Sequence, residues 1–170
     1  MKTLYFCRHG LSQFGKQGLW AGSSDTPLAP EGREQAAEAG RGAKQLHIDR
    51  IVSSPLARAY DTAQIIATTI SYPVPDIKIS PLVVERNFGE LEGTTWDPDL
   101  DMEHIASVEP AADVLERARQ ALEYIRSLEA DTILIVSHGT FGRALRHIIN
   151  PEIPFRGSER FKNAEIVKLI

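Results

Sequence analysis

With 170 residues, 42% hydrophobic and 25% charged, the chain has the composition of one ordinary globular domain, long enough to bury a sizeable core. A formal net charge of −4 argues against nucleic acid or an anionic membrane as partner, so any anion must be held by a local cluster of cations. A single cysteine excludes an internal disulfide and suits a reducing cytosol. The first residues also lack a basic stretch leading into a long apolar segment, which makes the cytoplasm the expected compartment.

Thr3–Cys7 reads as a strand apolar on both faces, as expected of a central strand covered by helices on each side. It ends in Arg8-His9-Gly10. Strands of α/β folds deliver catalytic groups at their carboxyl ends, and Gly10 lets the backbone turn away. Gly10–Pro27 is long for a loop in a compact domain, which favours a functional role. A helix is predicted from Pro30 to about Leu46. Pro30 suits its first position, whereas Ala29 cannot cap it, a loss of about 1 kcal/mol relative to Ser or Thr. Gly32, Ala36, Gly40 and Ala43 fall near one face, a stripe suited to close packing against the sheet.

Asp49–Ser53 reads as a second strand, after which Ser54-Pro55 opens a helix to about Ser71 with Ser54 as its cap. Ile77–Ile79 is a short strand, and Val83-Val84 leads into Glu85-Arg86. Thr94–Val108 is acidic and poorly periodic, a short lid segment. From Pro110 a long amphipathic helix is predicted, its apolar positions Val114, Ala118, Ala121, Leu122, Ile125 and Leu128 following the helical period. Thr132–Val136 is the clearest buried strand. It ends in Ser137-His138-Gly139-Thr140 and enters a helix to about Ile149, and Ala164–Ile170 is a last strand. This alternation predicts an α/β fold in one domain, residues 1–170: a three-layer sandwich with a mostly parallel central sheet flanked by helices.

His9 and His138 each stand at the exit of a buried strand and each precede a glycine. One such histidine is ordinarily structural, but two strand exits lying side by side bring two imidazoles together. Arg58 falls on the first turn of a helix that starts at the same rim, where a cation is unfavourable unless an anion compensates. Glu85, at a loop entrance among apolar residues, has the setting of a general acid. An ion pair with Arg86 accounts for its pattern equally well. Asp97, Asp99 and Asp101 start like a calcium loop, but Met102 and Val108 stand where glycine and glutamate are needed. Cys7 has Gln13 rather than arginine six residues on, so the loop of a cysteine-nucleophile phosphatase is absent and burial is its expected fate.

In order along the chain, five blocks resemble those of the histidine phosphatase superfamily, the phosphoglycerate mutase-like proteins of branch 1. They are Arg8-His9-Gly10; Asp25-Thr26-Pro27-Leu28 with Gly32 and Gln35-Ala36; Ser53-Ser54-Pro55-Leu56-Ala57-Arg58-Ala59 with Thr62-Ala63; Glu85 with Phe88-Gly89 and Glu92-Gly93; and Ser137-His138-Gly139. Only about Thr94–Val108 is left unmatched. The resemblance implies a phosphoglycerate mutase-like fold, with His9 as a nucleophile that forms a phosphohistidine. Arg8, Arg58 and His138 would form the phosphate pocket, with Glu85 as proton donor. Ser12, Gly22, Ser23, Gly139 and Thr140 would be further phosphate or substrate contacts. Cations take the place of metals in such a pocket, so neither metal nor cofactor is expected.

Two departures stand out. Gly15 occupies a position where the family often has a phosphate-contacting asparagine, leaving Lys16, Gln13 and Gln17 as candidate replacements, and Leu11 stands where an acid is common. The segment after Gly93 is short, whereas a mutase must shield its intermediate from water. The expected activity is therefore that of a metal-independent phosphomonoester hydrolase, a histidine acid-type phosphatase acting on a small phosphorylated metabolite. The alternatives, in order, are a protein phosphohistidine phosphatase, a phosphoglycerate-type mutase and a catalytically silent phosphate-binding domain. Trp20, Trp96 and the acidic stretch Asp97–Glu103 are expected at the mouth of the site. No pattern in the chain sets an oligomeric state.

Overall fold

Five strands pair into one sheet in the computed structural model, which describes residues 2–170. They are β1 (Thr3–Arg8), β2 (Arg50–Ser53), β3 (Lys78–Ile79), β4 (Thr132–Ser137) and β5 (Ile166–Lys168), in the order β3-β2-β4-β1-β5. β1 and β4 pair in parallel from Thr3 opposite Thr132 to Arg8 opposite Ser137. That register carries the two strand exits to the same level, so the residues that follow, His9 and His138, emerge as neighbours. β2 and β3 continue the parallel part of the sheet. β5 runs antiparallel to β1 and is shorter than Ala164–Ile170.

Alternate residues of β4 face opposite layers, as the period of a strand requires. Ile133 and Ile135 pack with Val114, Ala118, Leu122 and Ile125 of α4 (Ala111–Ser127) and with Phe141, Ala144 and Leu145 of α5 (Gly139–Ile149). Leu134 and Val136 pack instead with Ala63, Ile66 and Ala67 of α3 (Ala57–Thr69), together with Ala43 of α2 (Pro30–Ala43). The result is the expected three-layer arrangement. No helix among the described residues is long and apolar enough to cross a membrane.

Several local expectations are corrected. The small-residue stripe of α2 is buried, but its main partner is α3 rather than the sheet. A Cβ on Gly40 would lie 2.6 Å from Thr69 Cβ, and one on Gly32 would lie 2.1 Å from the carbonyl oxygen of Leu11. α2 ends at Ala43, before Leu46. α3 begins at Ala57 rather than Pro55, and Leu56 is its N-cap residue. Its first N–H is capped from a distance, since Ala57 N–H donates to Asp25 Oδ1 at 2.7 Å. The long loop after β1 contains a single helical turn, α1 (Gln13–Lys16), where Ser12 Oγ accepts Gly15 N–H at 3.0 Å. In the lid segment, Leu100, Met102, Ile105 and Val108 pack on Trp20 and Phe88 as a small separate core.

Candidate active site

His9 leaves β1 with its backbone fixed on every side. Its N–H donates to Ser137 O at 2.9 Å, and its carbonyl accepts Asn163 Nδ2 at 2.9 Å. The next residue donates Gly10 N–H to Thr62 Oγ1 at 3.1 Å, and Leu11 N–H donates to Gln35 Oε1 at 2.9 Å. Gly10 packs so closely on α2 that a Cβ would lie 2.3 Å from Gly32 O.

The ring is set as firmly as the backbone. His9 Nδ1 lies 2.6 Å from Gly10 O; a carbonyl only accepts, so the ring proton resides on Nδ1. Nε2 then carries a free lone pair, which accepts Arg58 Nε–H at 3.2 Å. Burial, followed by the charges of Arg58 and Arg8, holds the imidazole pKa well below its ordinary value. The ring is neutral at pH 7, with its unprotonated nitrogen turned to Arg58.

Arg58 is buried and fully engaged: Nη1 donates to Ser24 O at 2.6 Å and Nη2 to Gly22 O at 2.5 Å. Burial lowers its pKa to about 10, which leaves it a cation at pH 7. Those two carbonyls belong to a loop that Glu92 pins, its Oε1 accepting Ser23 N–H (2.6 Å), Ser23 Oγ–H (2.8 Å) and Phe88 N–H (3.2 Å) and its Oε2 accepting Ser24 Oγ–H (2.6 Å). The anion that offsets Arg58 at the start of α3 thus includes the chain's own Asp25.

Arg8 Nη1 donates to Phe161 O at 3.0 Å, while its Nε is a buried donor with no protein acceptor. His138 is fully buried and lies beneath His9 rather than at the cavity wall, the ring centroids 5.2 Å apart and edge-on. Its Nε2 is 2.8 Å from Ser54 Oγ. Burial, then the Arg58 charge and His9, keep it neutral.

Glu85 closes the N-terminus of α5, where free N–H groups and the helix dipole favour a carboxylate. Oε1 accepts the N–H groups of Arg86 (2.9 Å) and Phe141 (2.9 Å), and Oε2 accepts Thr140 N–H (3.0 Å). Its pairing with the Arg86 side chain does not occur: that guanidinium grips Glu103 through two bonds of 3.1 and 3.2 Å. Arg117 of α4 secures the segment from behind, donating to the carbonyls of Leu82 (3.1 Å) and Val84 (2.6 Å).

These groups meet at a cavity of about 720 Å³. Of the predicted residues, Arg8, His9, Ser12, Gly22, Arg58, Glu85, Gly139 and Thr140 line it. Ser23 does not, since both its N–H and its hydroxyl are spent on Glu92. The candidate replacements for the asparagine also fall outside. Lys16 pairs with Glu31 at 2.6 Å, and neither Gln13 nor Gln17 reaches the wall, which Gly15 itself lines. Trp20, Trp96, Pro98, Leu100 and Asp101–Glu103 line the cavity, whereas Asp97 and Asp99 of the expected acidic stretch do not; the Trp20 and Phe88 rings lie tilted, their centroids 4.7 Å apart. Sequence reasoning missed Arg143, Arg156 and Arg160 on the wall, and Asn163, Arg117 and Glu92 behind it. Arg143 was within reach: it follows Gly139 by four residues, one helical turn, and so shares its face.

The family model described as "Histidine phosphatase superfamily (branch 1)" matches residues 4–170. A protein of Hydrogenobacter thermophilus named "Putative phosphoserine phosphatase 2" is 29% identical over 153 residues, 82% of this chain and 74% of that protein. "Probable phosphoglycerate mutase GpmB" of Escherichia fergusonii is 32% identical over 154 residues, covering 82% of this chain and 70% of that one. Among solved structures, Bacillus stearothermophilus YhfR superposes with a TM-score of 0.85 at 25% identity, covering 99% of this chain and 90% of that chain. The blocks read in the sequence, the sheet order and the match over nearly every residue agree, and the chain belongs to branch 1 of the histidine phosphatase superfamily.

Proposed function

We propose that the protein hydrolyses phosphomonoesters of small cytoplasmic metabolites through a phosphohistidine on His9, without a metal. The observation that carries this reading is the state of His9: a neutral ring, proton on Nδ1, with the Nε2 lone pair beside Arg58 at the wall of a cationic cavity. Nε2 attacks phosphorus, and the N–P bond forms as the ester P–O bond breaks. The leaving alkoxide takes a proton from Glu85, which enters this step as the protonated acid, its Oε2 having only Thr140 N–H as partner. Water then attacks the phosphohistidine and returns a proton to Glu85. Splitting the displacement in two and neutralising phosphoryl oxygens with guanidiniums is what this chemistry requires of a protein. The short 94–108 segment favours water as acceptor over a retained sugar phosphate.

Hydrolysis of p-nitrophenyl phosphate in EDTA tests the reading. The wild type is expected to turn over and His9→Ala to fall by about a thousandfold or more, the scale of losing a nucleophile. Equal rates for the two proteins, or activity abolished by EDTA, would contradict it.

A further inference from the structure

Six arginines and three acidic side chains line the cavity. Arg86 and Arg156, 3.1 and 2.9 Å from Glu103, carry two positive charges, which Glu103 and Asp101 on the same lining balance. Arg8, Arg58, Arg143 and Arg160 remain, with Glu85 as the one carboxylate among them. A phosphate monoester brings a charge of about −1.5 to −2, which leaves roughly one positive charge over with Glu85 ionised and roughly two with Glu85 protonated, as the proposed first step requires. Arg8 and Arg58 belong to the His9 end. Arg143 and Arg160 make neither hydrogen bond nor ion pair with any described residue, and Arg160 lies over the Trp96 ring at 4.6 Å. Arg143 is half-buried; burial disfavours its charge, Glu85 offsets part of that cost, and Arg160, Arg146 and Arg8 add repulsion. A partly desolvated guanidinium with five unspent donors and like charges around it is costly in the free protein, and an anion relieves that cost.

Position adds the second half of the argument. Gly139 packs on Arg8, a Cβ there lying 3.4 Å from Arg8 Nε. Arg143 is four residues further along α5, about 6 Å along the helix axis. We propose that Arg143, flanked by Arg160, is a second anion subsite, and that the substrate is a short phosphomonoester whose alcohol carries a further carboxylate or phosphate about one helical turn from the phosphoryl group. This names the substrate class of the phosphatase proposed above and rests on it for the chemistry, though not for binding.

Phosphonates, in which carbon replaces the bridging oxygen and turnover is impossible, test the subsite by calorimetry. The pair is butylphosphonate and 4-phosphonobutanoate, with butane-1,4-bisphosphonate as the phosphate-like arm. The wild type is expected to bind at least one of the two dianionic-headed acids about tenfold or more tighter than butylphosphonate, the scale of a charge-assisted pair, and the tighter arm identifies the second anion. Arg143→Met is expected to erase that preference, and Arg143→Lys to keep part of it. Equal affinities in the wild type, or a preference that survives in Arg143→Met, would overturn the proposal. If Arg143→Met does not fold, the wild-type comparison and Arg143→Lys decide. Hydrolysis does not enter these readings, so a protein that prefers the diacids but cleaves no ester loses the proposed function and keeps the subsite, and the reverse result does the opposite.

Discussion

The proposed role of His9 as nucleophile rests on two small contacts that agree. The Gly10 carbonyl accepts the hydrogen bond of Nδ1–H, and the Arg58 Nε–H points at Nε2 without being able to transfer its proton to it. Burial and two arginines then keep the ring from charging. The free base is the reactive form, so a pKa held below 6.5 extends activity towards acid. The kcat/KM for p-nitrophenyl phosphate, corrected for substrate ionisation, is expected to stay level as pH falls through about 6.5, the ordinary histidine value. Half-loss at that pH would show an unshifted His9. Cys7, by contrast, sits one residue before Arg8 with burial pushing its thiol up to about 12, which takes it out of the chemistry.

At the scale of elements, the site is a junction of β1, α2, α3 and α5. The first turn of α2 lies against the backbone that carries His9, and Gly32 leaves no room for a side chain beside Leu11 O. Gly32→Ala is expected to lower stability by about 1–3 kcal/mol, the cost of overpacking, and to lower kcat as the Gly10-Leu11 backbone shifts. Urea midpoints and kcat measured on the purified variant check this; a variant with both unchanged would show that the contact is slack. The same junction shows what was legible in the chain. β1 and β4 were plain because an unbroken apolar run that ends in His-Gly has no other good reading, and their parallel pairing put His9 beside His138. The small-residue face of α2 announced a close approach but not its partner, because a missing side chain carries no information about what fills the space. The start of α3 was misplaced because its cap, Asp25, lies 32 residues away. Arg160 was not singled out, since the folding of residues 155–161 onto α5 sets its role and no local pattern reports it; Arg143 was passed over although its four-residue spacing from Gly139 places both on one face of α5.

Across the whole molecule, two imidazoles are buried neutral in one small site. Their pKa values in the folded state lie below the unfolded value of about 6.5, so the unfolded chain binds more protons in the window beneath it. The stability they allow is present above that pH and is lost as pH falls towards the folded values, by up to about 1.4 kcal/mol per pH unit for each histidine. Urea unfolding at pH 7, 6 and 5.5 without phosphate is expected to follow that slope, and His138→Asn to make it shallower. An unchanged slope in the variant would remove His138 from the account.

The central claim is a double displacement at phosphorus, and stereochemistry reads it directly. A phosphorothioate monoester made chiral with oxygen isotopes, hydrolysed by the wild type in isotopically labelled water, is expected to give product with net retention, one inversion forming the phosphohistidine and a second consuming it. Net inversion would mean that water attacks the ester in one step, and His9 would then not be the nucleophile.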